Sequence, residues 1–258
     1  MCGRYAASRN PDDLVEEFEA VDAPEQALPP SYNVAPTQDV YAVMERPPRG
    51  EPEADAVRAL RVVRWGLVPS WAKDPSIGNR MINARMESVA DKPAFRRAFA
   101  KRRCLLPADG YFEWYGQTKG KKQPFFIRPQ DGGMLAMAGL YELWKDPAAG
   151  EDDDPWLWTC TVLTTSAPDD LGRIHDRMPL LVERERYGQW LDPARDDPEE
   201  LTSLLVPAAP GRLAAYPVST EVNNVRNNGP HLVEPMPAEG APDEEPDSQP
   251  EAEQDQLF

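Results

Sequence analysis

Histidine is almost missing from this 258-residue chain: only His175 and His231 are present, so histidine-dependent chemistry must use one of the two. Two distant histidines also fall short of the three or four ligands a metal site needs, and no metal or other cofactor is expected. Cysteine is equally sparse. Cys2, Cys104 and Cys160 are odd in number, widely spaced and without a CxxC pair, which argues against a disulfide framework and a zinc cluster. No apolar run is long enough to span a bilayer, and the N-terminus has neither the basic nor the apolar segment of a signal peptide. A soluble, cytoplasmic protein is expected. Nothing repeats at a fixed period, which sets solenoids and propellers aside.

Positive charge is also short. Lysine occurs seven times against twenty-one arginines, and the net charge is -16, a balance that should repel nucleic-acid phosphates. Its distribution weakens that objection, because residues 237 to 258 hold eight acidic and no basic residues, half of the total. Further acid lies in Glu51 to Asp55, Glu151 to Asp154 and Asp192 to Glu200, whereas Arg96, Arg97, Lys101, Arg102 and Arg103 cluster within eight positions. That cluster reads equally as a solvated helix face or a phosphate-binding strip. An acidic surface poor in lysine also suits a salt-loving organism, since charge is screened over only ~3 Å at 1 M salt.

What is present reads as many strands and few, short helices. Strand patterns cover 40 to 44, 57 to 68, 103 to 107, 111 to 115, 124 to 128, 134 to 143, 157 to 165 and 212 to 219. Helical patterns cover 11 to 20, 93 to 102, 168 to 173, 184 to 191 and 197 to 205, with a proline-punctuated loop at 21 to 36. This predicts an α+β fold, a single domain over 2 to 235 whose strongly bent antiparallel sheets form an open barrel-like core with short peripheral helices. The absence of βαβ alternation argues against a doubly wound sheet. From residue 236 onward the composition is proline, acid, alanine and serine, and this tail is expected to be disordered.

Chemistry concentrates at polar islands. Met1 is normally trimmed before a small residue, which would leave Cys2 with an α-amine of pKa ~7.7 to 8.0 beside a thiol of ~8.5. Such an aminothiol can trap an aldehyde, as an imine that closes to a five-membered thiazolidine, or act as an N-terminal nucleophile in acyl transfer. A cysteine after Met1 by itself selects neither. Asn83 and Arg85 alternate in Ile82-Asn83-Ala84-Arg85, so both are able to face one groove. Glu113 lies among aromatics in Tyr111-Phe112-Glu113-Trp114, either as a desolvated proton carrier or as the outward face of an alternating strand. His175, between a helical pattern and a proline-bounded strand, is a better candidate than His231 beside the tail.

The order MCGRY, YNVAP, WGLVPSW, INAR, ADGYFEW, KQPFFI, LTTSA, IHDRMP and a late NVRN segment resembles the SOS-response-associated peptidase (SRAP) family, over residues 2 to 235. Members of that family shield abasic sites in DNA. The resemblance implies that Cys2, exposed by Met1 removal, forms a thiazolidine crosslink with the ring-opened abasic sugar in single-stranded DNA during the damage response. It further implies that Asn83 orients the Cys2 amine and the sugar, that Glu113 shuttles protons, and that His175 protonates the sugar or adduct oxygen, aiding ring opening and slow crosslink reversal. By the same resemblance Arg85 and Arg177 are phosphate ligands, and Arg4, Asn33, Pro36, Trp71 and Thr164 line the DNA groove. Such contacts tolerate any sequence.

Two alternatives stay open. The family name allows a peptidase with Cys2 as nucleophile, in its narrowest form autoproteolytic only, although no recognisable oxyanion motif marks one. The last residues, Gln254-Asp255-Gln256-Leu257-Phe258, resemble peptides that dock on sliding clamps, with Gln254, Leu257 and Phe258 as the contacts and the acidic arm as a tether. On that reading the protein is a clamp-tethered single-strand binder without covalent chemistry.

Overall fold

The computed structural model describes residues 2–48, 50–51, 53–116, 122–150, 154–167 and 171–236. Among them are twelve strands: β1 (Tyr5–Ala7), β2 (Ser31–Val34), β3 (Asp39–Arg46), β4 (Val57–Trp65), β5 (Asn83–Arg85), β6 (Arg103–Ala108), β7 (Gly110–Tyr115), β8 (Gln123–Pro129), β9 (Leu135–Lys145), β10 (Trp156–Ser166), β11 (Arg177–Pro179) and β12 (Leu213–Pro217). Five short helices accompany them: α1 (Pro11–Glu17), α2 (Arg96–Lys101), α3 (Leu171–Ile174), α4 (Tyr187–Leu191) and α5 (Pro198–Ser203). Local chemistry sets the helix starts. Asn10 accepts from the Asp13 N–H ahead of Pro11, and Asp197 accepts from the N–H groups of Glu199 and Glu200 ahead of Pro198.

Five strands close on themselves in the order β10-β4-β3-β6-β9, with β9 returning to β10. The barrel-like α+β architecture is therefore the expected one, and the ring closes where an open core was anticipated. Closure removes the sheet edges that an open barrel would leave unpaired. Pairing is antiparallel except that β10 runs parallel to β4 and to β5. Alternation sorts the side chains: Val40, Ala42 and Met44 of β3 belong to one core with Cys104, Met137, Cys160 and Val162, while Tyr41 and Val43 join Phe99, Trp190 and Leu201 in the other, beneath the helices.

The second sheet, β12-β8-β7-β1-β2, is antiparallel throughout and carries the N-terminus on an inner strand. Its Cys2, Tyr5, Tyr111 and Ile127 share a core with the barrel strands, and Ala6, Phe112 and Phe126 pack in a third core with Val218, Val222 and Leu232. Glu113 is two residues from Tyr111, so it falls on the barrel-facing side, and it is buried. The outward-face reading of FEWY is thereby excluded.

Two features differ from the sequence reading. Residues 31 to 34 form β2 within what reads as a loop, and β1, β5 and β11 have three residues each, too few for a period of two to register. The Arg96 to Arg103 cluster is also not one solvated strip. Arg103 is buried, donating to the carbonyls of Trp190 (2.7 Å), Phe99 (2.9 Å), Ala100 (2.6 Å), Arg195 (3.0 Å) and Asp192, so it ties α2 to the chain after α4. Arg102 pairs with Glu142 at 2.6 Å. The expected tail and the clamp contacts Gln254, Leu257 and Phe258 lie outside the described residues.

Candidate functional site

Two polar islands meet through backbone contacts made where β4 ends. The Trp65 indole N–H donates to the Ile82 carbonyl at 2.9 Å, and the Leu67 N–H donates to that of Met81 at 3.1 Å. Gly66 (φ 133°) and Gly78 make this docking possible, because a Cβ on Gly66 would sit 2.7 Å from the Gly78 oxygen. The docked segment becomes β5, running beside β10 with Asn83 opposite Val162 and Arg85 opposite Thr164.

Asn83 thereby reaches the N-terminal strand. Its Nδ2 donates to the Cys2 carbonyl at 2.7 Å, and its Oδ1 is buried with no hydrogen-bond partner among the described residues. That oxygen is an acceptor awaiting a donor. Cys2 itself is fully buried. Burial first, and then the charge of Glu113, push its thiol far above the ordinary value of 9.0, so sulfur is held protonated. Tyr5 and Tyr111, both buried, lie within electrostatic reach of the same thiol.

The Glu113 carboxyl is pushed up to about 7, chiefly by burial. It is thus divided between acid and base near neutral pH. His175 follows α3, which packs against β7. Burial lowers its pKa, leaving the ring neutral at pH 7, and both His175 and Glu113 feel Asp176 and Lys122. The Arg177 N–H donates to His175 Nδ1 at 2.9 Å. Asp176 Oδ1 is also 3.1 Å from that nitrogen, but a backbone N–H can only donate, so the neutral ring carries its proton on Nε2. The Nε2–H is therefore the hydrogen-bond donor of this ring.

Around this centre the remaining expected residues divide. Asn33 is buried and donates to the carbonyls of Val222 (3.2 Å), Asn224 (3.1 Å) and Asn227 (3.0 Å). Arg4 Nη1 donates to Asn33 Oδ1 (2.6 Å) and the Val222 carbonyl (2.8 Å), and its guanidinium lies 5.8 Å from the Trp114 ring centroid. These two side chains clamp the NNVRNN segment onto the second sheet. Thr164 is buried on β10, and Pro36 is half-buried ahead of β3.

Trp71 and Arg85 are exposed, Trp71 at 61%. The Trp71 loop is anchored by the Trp144 indole N–H donating to the Ala72 carbonyl at 2.7 Å, so an aromatic face is presented on fixed backbone. Arg177 is mostly buried, and its fork is bound by both Glu87 oxygens at 2.6 and 2.9 Å while Nη2 also donates to the Thr164 carbonyl at 2.6 Å. Tyr5, Trp65 and Tyr111 stand inside quoted motifs without a role assigned to them, and Glu87, two residues beyond Ile82-Asn83-Ala84-Arg85, carries no signal of its own, because nothing in spacing pairs it with a residue ninety positions away.

Comparison with known proteins establishes the family of the chain. The model of the family described as SOS response associated peptidase (SRAP) matches residues 1–225. The chain is 40% identical over 236 residues to the abasic site processing protein YoqW of Bacillus subtilis (strain 168), covering 91% of this chain and 99% of that one. It is 35% identical over 230 residues to the abasic site processing protein HMCES of Gallus gallus, covering 80% of this chain and 66% of the relative. A crystal structure of a protein from Bacteroides thetaiotaomicron superposes with a TM-score of 0.75 at 25% identity, over 91% of this chain and 100% of that one.

Proposed function

From the membership of this chain in the SOS response associated peptidase (SRAP) family, we propose that it processes abasic sites in single-stranded DNA by forming a covalent crosslink through Cys2. The observation that carries the reading is the Cys2 backbone held by Asn83 beside a Glu113 carboxyl titrating at about 7.

Removal of Met1 turns the Cys2 nitrogen into an amine. Because burial keeps the thiol protonated, this amine is the first nucleophile, attacking the aldehyde carbon of the ring-opened sugar. Glu113 gives a proton to the departing hydroxyl as the imine forms with loss of one water, then accepts the thiol proton as Sγ adds to the imine carbon. The imine nitrogen takes up a proton, and the thiazolidine closes as an intramolecular step. Asn83 fixes the backbone, with Oδ1 positioned to accept from the amine. The His175 Nε2–H donates to the sugar oxygen, which assists ring opening and, in reverse, slow release. Consuming the aldehyde removes the group that acidifies the neighbouring C–H, so β-elimination and strand cleavage stop.

Arg85 and Arg177 are the phosphate ligands in this reading, and Trp71 offers a stacking face that needs no particular base. A peptidase mechanism fits less well. Cysteine nucleophiles in hydrolases depend on a depressed thiol pKa, and this one is raised. Incubating processed protein with abasic single strands and with peptides separates the two: a denaturation-resistant DNA adduct supports crosslinking, and peptide turnover without an adduct overturns it.

A further inference from the structure

Arg177, the expected phosphate ligand, already holds an anion. It reaches from β11 across the end of β10 to the turn after β5, where Nη1 and Nη2 donate to Oε1 and Oε2 of Glu87 at 2.6 and 2.9 Å. The second Nη2 hydrogen goes to the Thr164 carbonyl, and Nε is buried with no partner among the described residues, so the guanidinium has no free accessible pair of N–H groups to offer. The Glu87 side chain is about half exposed, at 49%, against 11% for Arg177. The cation is fixed in the protein, and the anion is the partner that can leave. The pKa of Glu87 is lowered first by the Arg177 hydrogen bond, and Arg85 lies within electrostatic reach of the same carboxylate. A carboxylate bound to both ends of a guanidinium fork has the geometry by which arginine binds two phosphate oxygens.

We propose that Glu87 is an internal stand-in for a DNA phosphate, occupying the Arg177 fork in the free protein and yielding it to a backbone phosphodiester when a single strand binds. This rests on the DNA-binding reading above. Binding is then an exchange of one anion for another, and Glu87 taxes every encounter with undamaged DNA equally. An abasic strand repays the tax through the covalent step at Cys2, whereas an intact strand does not. Glu87 is thus a specificity-determining residue that holds down non-specific affinity. It acts at close range, as the acidic composition of the chain does at long range.

The test is fluorescence polarisation with a labelled single-stranded oligonucleotide free of abasic sites, so that no covalent chemistry enters, across a salt series. Glu87→Gln keeps the shape of the side chain and removes its charge. It is expected to tighten binding about two- to fivefold at low salt, the range of one partly exposed ion pair, and to steepen the slope of log K against log salt by about 0.7. The gain should vanish in an Arg177→Leu background, or in Arg177→Lys should the leucine variant fail to fold, since lysine keeps the charge without the fork. Equal or weaker binding by Glu87→Gln, with wild type binding normally, overturns this inference and leaves the DNA-binding reading intact. A gain that persists without Arg177 also overturns it, reducing Glu87 to bulk charge. No binding by wild type or variants at any salt removes the DNA-binding reading and this inference with it.

Discussion

The Asn83 side chain donates to the Cys2 carbonyl at 2.7 Å, while its own oxygen stays buried without a partner among the described residues. One amide thus fixes the backbone of Cys2, the residue proposed to react, and leaves an acceptor beside it. Asn83→Ala is expected to slow crosslinking about 10- to 100-fold, as loss of a positioning hydrogen bond at a reacting group does, while leaving non-covalent DNA affinity near wild type. Gel-shift kinetics on abasic DNA beside polarisation on intact DNA check this. A parallel loss of both would make Asn83 a binding residue only.

Under the proposed mechanism Glu113 should give the reaction its pH dependence. Its carboxyl titrates at an ordinary 4.5 when exposed and at about 7 in the fold, so the crosslinking rate should decline above pH 7 as the protonated form is lost, and Glu113→Gln should lose that limb. Between those values the folded protein holds the proton that the unfolded chain releases. Stability attributable to this group is therefore full below about 4.5 and is lost as pH rises through about 7, by up to roughly 3 kcal/mol. Denaturant melts across that window should be flatter for Glu113→Gln. Parallel curves for the two proteins would show that the carboxyl is not desolvated.

Arg103 is a structural cation. Replacing it with leucine removes the donor from five carbonyls at once, and a loss of about 3 kcal/mol or more in unfolding free energy is expected. Denaturant titration checks it. Arg96→Gln and Arg97→Gln, outside that network, should change the midpoint little.

These residues show where the sequence was legible and where it was not. Cys2 stands out by its place after Met1, His175 as one of two histidines, and Asn83 and Glu113 as polar interruptions in apolar patterning, and the strands from β6 to β10 read clearly because their alternation is long. Asn33 and Arg4 read as groove-lining residues, yet their side chains are spent on the carbonyls of residues 222 to 227, a contact across some two hundred positions that no local pattern encodes. The Glu87 pairing with Arg177 is hidden for the same reason. Barrel closure depends on β10 meeting β9 and β4 on opposite sides, a property of register and not of any one strand's pattern.

The acidic, lysine-poor surface carries its own prediction. If it is adapted to high salt, the thermal midpoint should rise as salt goes from dilute buffer to the molar range, where screening acts over ~3 Å. A midpoint already maximal in dilute buffer would remove the salt-adapted reading.

The processed N-terminus is expected to capture an aldehyde. Intact mass of protein purified with native termini, before and after incubation with a single-stranded oligonucleotide bearing one abasic site, tests it directly. Loss of Met1 is expected, then a stable adduct equal to protein plus oligonucleotide less one water, absent in Cys2→Ala. Processed protein that gives no such adduct at low or high salt, or an identical adduct from Cys2→Ala, would contradict it.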